Sequence, residues 1–141
     1  MEFVKWKEDL ETSLENLSKA QEIPYSTLQI STTPKCPGVY MIIEKVTKEI
    51  LYVGESNNLS ERLYRNHLMG NKTNANFKKK LVGDNTLTEV MCINTAKKFL
   101  KDKCSVKWIL EDEFVKRKAI ECYITALLLP KYAFIEKIKP L

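Results

Sequence analysis

Residues 38–67 read GVYMIIE (38–44), a short charged link, ILYVGE (50–55) and then SNNLSERLYRNH (56–67). Two apolar, β-branched runs around a polar turn predict a hairpin, and the Asn-rich stretch after Gly54 predicts a loop that opens a helix. Alternation places Tyr40, Ile42 and Glu44 on one face of the first strand, and Ile50, Tyr52 and Gly54 on one face of the second. If partners across the hairpin sum to an even number, as with Ile42 opposite Tyr52, both tyrosine hydroxyls project to the same side. An odd sum separates them unless a bulge intervenes. Asn58 suits an N-cap and Glu61 the far corner of a capping box, so the spacing predicts a helix over about 59–69 that ends near Gly70. Arg62 falls in its first turn. Leu59, Leu63 and His67 share an inward face, with Arg62 and Asn66 on a neighbouring polar stripe, and at a hundred degrees per residue His67 stands well round the helix from Arg62.

Upstream, Phe3, Trp6, Leu10, Leu14 and Leu17 recur at helical spacing with acidic residues largely elsewhere, which predicts an amphipathic helix over 3–20. Its acidic outer face argues against a phosphate backbone as its partner and for docking on the domain or on another chain, self-association included. Pro24, Pro34 and Pro37 mark 21–37 as a connector. Downstream, 71–83 predicts a second helix anchored by Phe77 and Leu81. Residues 86–93 suit strand or helix, 95–103 a lysine-rich helix, 105–110 a strand, and 111–129 a helix stopped by Pro130. The expected fold is α+β: a small, mainly antiparallel three-stranded sheet flanked by helices, with the extra helix at the amino terminus.

The 141 residues, 44% hydrophobic and 29% charged, suit one ordinary globular domain. No apolar run reaches the roughly 18 residues of a membrane span, and the amino terminus lacks a signal peptide's apolar core, so a cytoplasmic location is expected. Cys36, Cys92, Cys104 and Cys122 form no C-x-x-C pair, which leaves zinc ribbons and redox motifs unsupported. A net charge of +5 permits a polyanionic partner without requiring one.

Gly38-Val39-Tyr40, then Tyr52-Val53-Gly54, Asn58-Leu59, Arg62-Leu63, Ile120-Glu121 and Leu129-Pro130-Lys131-Tyr132 stand in an order that resembles the GIY-YIG nuclease superfamily over about residues 36–134. The resemblance implies a division into 1–37, amphipathic helix and connector, and 38–141, the catalytic domain. It implies metal-dependent endonucleolytic hydrolysis of nucleic-acid phosphodiesters, with DNA the expected partner. Tyr40 would orient or activate the attacking water and Tyr52 support it or act as base. Both tasks need a nearby cation, since a tyrosine with its ordinary pKa of about 10 is a poor base at neutral pH. Arg62 would neutralise charge developing on the phosphate. Glu121 would be the ligand of one divalent cation, Mg2+ or Mn2+, that stabilises the leaving oxygen. His67 joins the catalytic candidates one residue later than the histidine or tyrosine of many relatives, whose position here is Asn66.

Each candidate also has a plain structural reading: sheet tyrosines, a solvated arginine paired with Glu61, a packed histidine, and a Glu121–Arg117 ion pair one helical turn apart. Gly54, Lys72, Lys78, Lys79 and Lys80 are the expected nucleic-acid contacts, with Lys97, Lys98 and Lys101 as further backbone guides or simply a solvated lysine-rich surface. Two departures from the family pattern bear on activity. Ala133 takes the place of an asparagine, and Glu55 follows Gly54 where many relatives carry lysine or a neutral residue. They leave open a catalytically weak or inactive nucleic-acid-binding or adaptor protein, and separately a protein-interaction module built on the amino-terminal helix.

Overall fold

The computed structural model describes residues 3–68, 76–84, 86–87 and 89–132. In chain order these form helix α1 (Phe3–Lys19), strand β1 (Ile23–Pro24), a 3-10 turn (Tyr25–Thr27), strands β2 (Gly38–Glu44) and β3 (Ile50–Ser56), and a π-helix (Glu61–Leu68). Helices α2 (Asn76–Val82) and α3 (Ile93–Lys103), strand β4 (Cys104–Leu110) and helix α4 (Phe114–Leu128) complete them. Gly70 and residues 71–75, at the predicted end of one helix and start of the next, lie outside the described residues.

The fold is α+β, with an antiparallel sheet in the order β1-β4-β2-β3. It has four strands where the sequence predicts three. The addition is β1, two residues of the proline-marked connector, which pairs Ile23 with Val106 and Pro24 with Ser105 at the sheet's edge. Two residues carry no readable alternation, and an edge is where a sheet tolerates proline.

Strand β2 is central, and its apolar run reflects cover on both faces. Val39, Met41 and Ile43 pack with Leu17 of α1 and with Ile120 and Ile124 of α4. Tyr40 and Ile42 pack on the opposite face with Leu59, Leu63, Phe77, Leu81, Ala96 and Leu100. The amphipathic stripe of α1 thus docks on this chain's own sheet, and Tyr25 and Leu28 of the connector enter the second core. Each large apolar side chain buried in these layers contributes ~1.5–3 kcal/mol, which makes the two faces of β2 the main source of stability.

Helix α4 begins three residues later than its sequence pattern suggests. Arg117 donates to the carbonyls of Glu111 and Asp112 at 3.3 and 2.8 Å, which holds that segment extended as far as the N-cap Glu113. Residues 86, 87 and 89–92 form turns and bends rather than strand or helix. All four cysteines are free thiols. Among the described residues no helix is long and apolar enough to cross a membrane.

Candidate active site

The hairpin register settles which tyrosines can meet. Tyr40 pairs with Gly54 and Ile42 with Tyr52, and the register shifts only beyond them, between Ile42 and Ile43. Partner numbers therefore sum evenly across the site, and both tyrosines lie on the same face. Their rings stack with centroids 6.3 Å apart. Gly54, expected to face nucleic acid, instead makes room for its strand partner, since a Cβ there would run into the Tyr40 phenol.

His67 closes the site from above. Tyr40 Oη and His67 Nε2 are 2.6 Å apart, both side chains buried, and the imidazole stands edge-on to both tyrosine rings at 5.4 and 5.5 Å. An ideal α-helix would have carried His67 away from Arg62. The chain forms a π-helix over Glu61–Leu68, whose wider turn leaves His67 nearer to Arg62 round the helix than α-helical geometry would. The helix start matches the sequence signal in half. Glu61 N–H donates to Asn58 Oδ1 at 3.1 Å, but the Glu61 carboxylate pairs with Arg65 at 3.4 Å instead of completing a capping box.

Arg62 is the electrostatic centre. Its charge favours the ionised form of Tyr40, Tyr52 and Glu121, and disfavours protonated His67. With His67 neutral and the Tyr40 phenol protonated, the assignment that serves both groups has Tyr40 Oη donating its proton to Nε2 of His67. Nδ1 then carries the ring proton, and it has no hydrogen-bond partner. Burial dominates both tyrosines: Tyr40 is held well above the ordinary phenol pKa and Tyr52 is raised, despite Arg62.

Burial also pushes His67 down to about 3, with Arg62 and Lys78 adding to the shift. Above pH 6.5 the ring is neutral in both the folded and unfolded chain and contributes no pH dependence. Below it only the unfolded chain takes up the proton, so stability falls by about 1.4 kcal/mol per pH unit as pH drops from 6.5 towards 3. Chemical denaturation at pH 6.5 and pH 5 is expected to differ by about 2 kcal/mol from this residue, and the His67→Gln protein to lose that one-proton slope. An unchanged slope in the variant rules out a buried neutral imidazole.

Glu121 comes from α4, whose core contacts lie on the other face of the sheet. Its charge bears on Tyr52 across β3, the outer strand on this side, where Lys131 and Tyr132 donate their N–H groups to Ile50 and Leu51. Burial raises the Glu121 pKa, and Lys118 opposes the rise. Its ion partner is Lys118 at 3.7 Å, not Arg117. Arg117 is committed to Glu55, with Nε 2.9 Å from Oε2 in a nearly buried pair, and Lys118 reaches the other Glu55 oxygen at 3.3 Å. Glu55 therefore brings no uncompensated negative charge beside the tyrosines. The sequence names Arg117 only as a partner for Glu121, and neither Lys118 nor the Arg117–Glu55 pair was expected. Lys118 was visible as the i−3 neighbour of Glu121 on a helix, whereas the Arg117–Glu55 contact spans 62 residues and left no local signal.

The order of these residues along the chain matches a known pattern. The profile of the GIY-YIG catalytic domain matches residues 36–118, more than half of the sequence. The chain belongs to the GIY-YIG family. Structures similar to it include crystal structures of the GIY-YIG N-terminal endonuclease domain of UvrC from Thermotoga maritima. One, bound to magnesium as its catalytic divalent cation, has 20% identity and a TM-score of 0.47, with 73% of this chain and 89% of that one covered. A tyrosine-to-phenylalanine variant gives 20%, 0.47, 73% and 88%, and an asparagine-to-alanine variant 21%, 0.41, 74% and 89%. No curated protein matches the chain significantly.

In this GIY-YIG domain the donor set bears on what cation the site suits. Among the described residues no three His, Cys, Asp or Glu side chains gather as a ligand group. A single half-buried carboxylate, Glu121, suits magnesium or manganese, which keep most of their water, and not the closed nitrogen and sulfur shell of zinc.

The lysines divide. Lys78 is 1% exposed, which withdraws it from the surface guide expected of it, and burial beside Lys97 lowers its pKa to about 8. Lys80 donates to the Tyr132 carbonyl at 3.1 Å and holds its ammonium 5.5 Å from the Tyr52 ring centroid. Lys98 borders a hollow of about 410 Å³ with Glu89, Thr95 and Asp102, which shares no residue with the tyrosine site. Lys101 is exposed. Lys72, the Lys79 side chain and Ala133 lie outside the described residues.

Proposed function

We propose that this GIY-YIG protein is an endonuclease that hydrolyses phosphodiester bonds of DNA with the help of one divalent cation, Mg2+ or Mn2+. The observation that carries the reading is the convergence of Tyr40, Tyr52 and His67 on one face of the sheet, with the charges of Arg62 and Glu121 bearing on Tyr52. Two phenols, an imidazole and a carboxylate around one permanent cation suit a phosphate whose charge grows as water attacks.

Tyr40 is fully buried and bonded to His67, so this pair positions the Arg62 fork. With His67 at about 3 and Tyr40 well above its ordinary value, the phenol keeps its proton. Half-buried Tyr52 is the tyrosine that meets the attacking water, and Arg62 and Lys118 both favour its phenolate against the pull of burial. Glu121 holds the cation, which supplies Lewis-acid stabilisation of the leaving oxygen when bound. Lys80, fixed between Tyr132 and Tyr52, offers the backbone a positive rim.

The deciding experiment is incubation with single-stranded, duplex and branched DNA in Mg2+ and in Mn2+. Cleavage of at least one substrate that stops in chelator is expected. Binding of these substrates with no cleavage in either metal replaces this reading with that of an adaptor, and Ala133→Asn then becomes the restoring test.

A further inference from the structure

Glu55 is a fixed point beside the site. Its Oε2 is locked to Arg117, which is itself 6% exposed and tied to two backbone carbonyls. The remaining oxygen, Oε1, faces Lys118 at 3.3 Å, and the same ammonium stands 3.7 Å from Glu121 Oε1. One mobile-stemmed cation is thus anchored by a rigid carboxylate and rests against the carboxylate that the nuclease reading assigns to the metal. The anchor decides the behaviour: if Lys118 leaves Glu121 it keeps its Glu55 contact and stays within the site.

We propose that Lys118 is the resident counter-cation of Glu121 and that a divalent cation binds by displacing it, so that metal entry is an exchange of one cation for another. The proposal rests on the nuclease reading for the identity of the metal ligand, but concerns binding rather than cleavage. Glu121 is a partly buried carboxylate, and Lys118 supplies its ion pair until the metal comes. The exchange is easy because the Lys118 contact is long and its side chain is 49% exposed. It still weakens metal binding, since the incoming double charge must both displace the ammonium and then bind near it.

Titration with Mn2+ alone, without nucleic acid, followed by the electron paramagnetic resonance of the free ion, tests this. Lys118→Met is expected to bind Mn2+ roughly fivefold more tightly than the wild type. Lys118→Arg, which keeps the charge, is expected to bind it within about twofold of the wild type. Equal or weaker Mn2+ binding by Lys118→Met overturns the exchange, as does a wild type with no affinity for Mn2+. A wild type that binds Mn2+ but cuts no DNA removes the nuclease reading and leaves the exchange standing. Thermal melting of each variant confirms folding, which the exposure of Lys118 favours.

Discussion

Glu121→Gln is expected to lower metal-supported cleavage by roughly 100- to 1,000-fold while leaving the protein at least as stable as the wild type. The first half follows from removing the carboxylate that holds the cation, whose charge stabilisation contributes several kcal/mol to such a transition state. The second follows from the direction of the Glu121 pKa. A carboxyl raised above its ordinary value by burial is one whose ionised form the folded state disfavours, so a neutral isostere removes a cost. The ion pair with Lys118 that the substitution gives up is long and partly exposed, worth about 0–1 kcal/mol. Cleavage kinetics in Mg2+ and denaturation of the same preparations give both numbers. DNA affinity in chelator should not fall. A variant that keeps activity and loses stability would make Glu121 a structural residue, held by Lys118 and not by Arg117 as its helical spacing suggests.

That exchange of partners shows which parts of this protein were legible in its sequence. The hairpin, the helix after Asn58, strand β4 and helix α4 each announce themselves through local periodicity, caps and breakers, and they appear close to where those signals put them. Register was a matter of two alternatives, and the even one holds through the site because the shift falls beyond Tyr52. What the sequence hid was non-local. Strand β1 exists only because β4 offers an edge to two connector residues. Arg117 turns from its i+4 neighbour because Glu55, on a strand edge, offers a shorter and better-buried contact.

His67 hides for a different reason. Its inward face follows from its spacing with Leu59 and Leu63, and all three are buried; what an ordinary α-helix does not give is its nearness to the charge of Arg62. The segment from Glu61 to Leu68 is wound as a π-helix, and it sets an imidazole against Tyr40 and leaves its Nδ1 without a partner. A buried orphan of this kind is tolerated where the packing around it is fixed by other needs. Here those needs are the two tyrosine rings and Phe77, all in edge contact with the imidazole or close to it.

The shared guanidinium gives the second large expected effect. Arg62→Ala is expected to cost roughly 100- to 1,000-fold in cleavage rate, the loss typical of one preorganised charge stabiliser. It acts through more than one route. Tyr52 and Tyr40 both lose a cation that favours the phenolate, so both phenols move further from ionisation. His67, relieved of a neighbouring positive charge, moves back up towards its ordinary value. Arg62→Lys keeps the charge but not the planar fork, and is expected to recover only part of the rate. Combined with Glu121→Gln, Arg62→Ala should add little, because groups that act on one transition state as a unit do not contribute independently. Single-turnover rates for the wild type, both single variants and the double variant decide the matter: losses that multiply would separate Arg62 from the metal-supported step and return it to the status of a packing cation between two tyrosines.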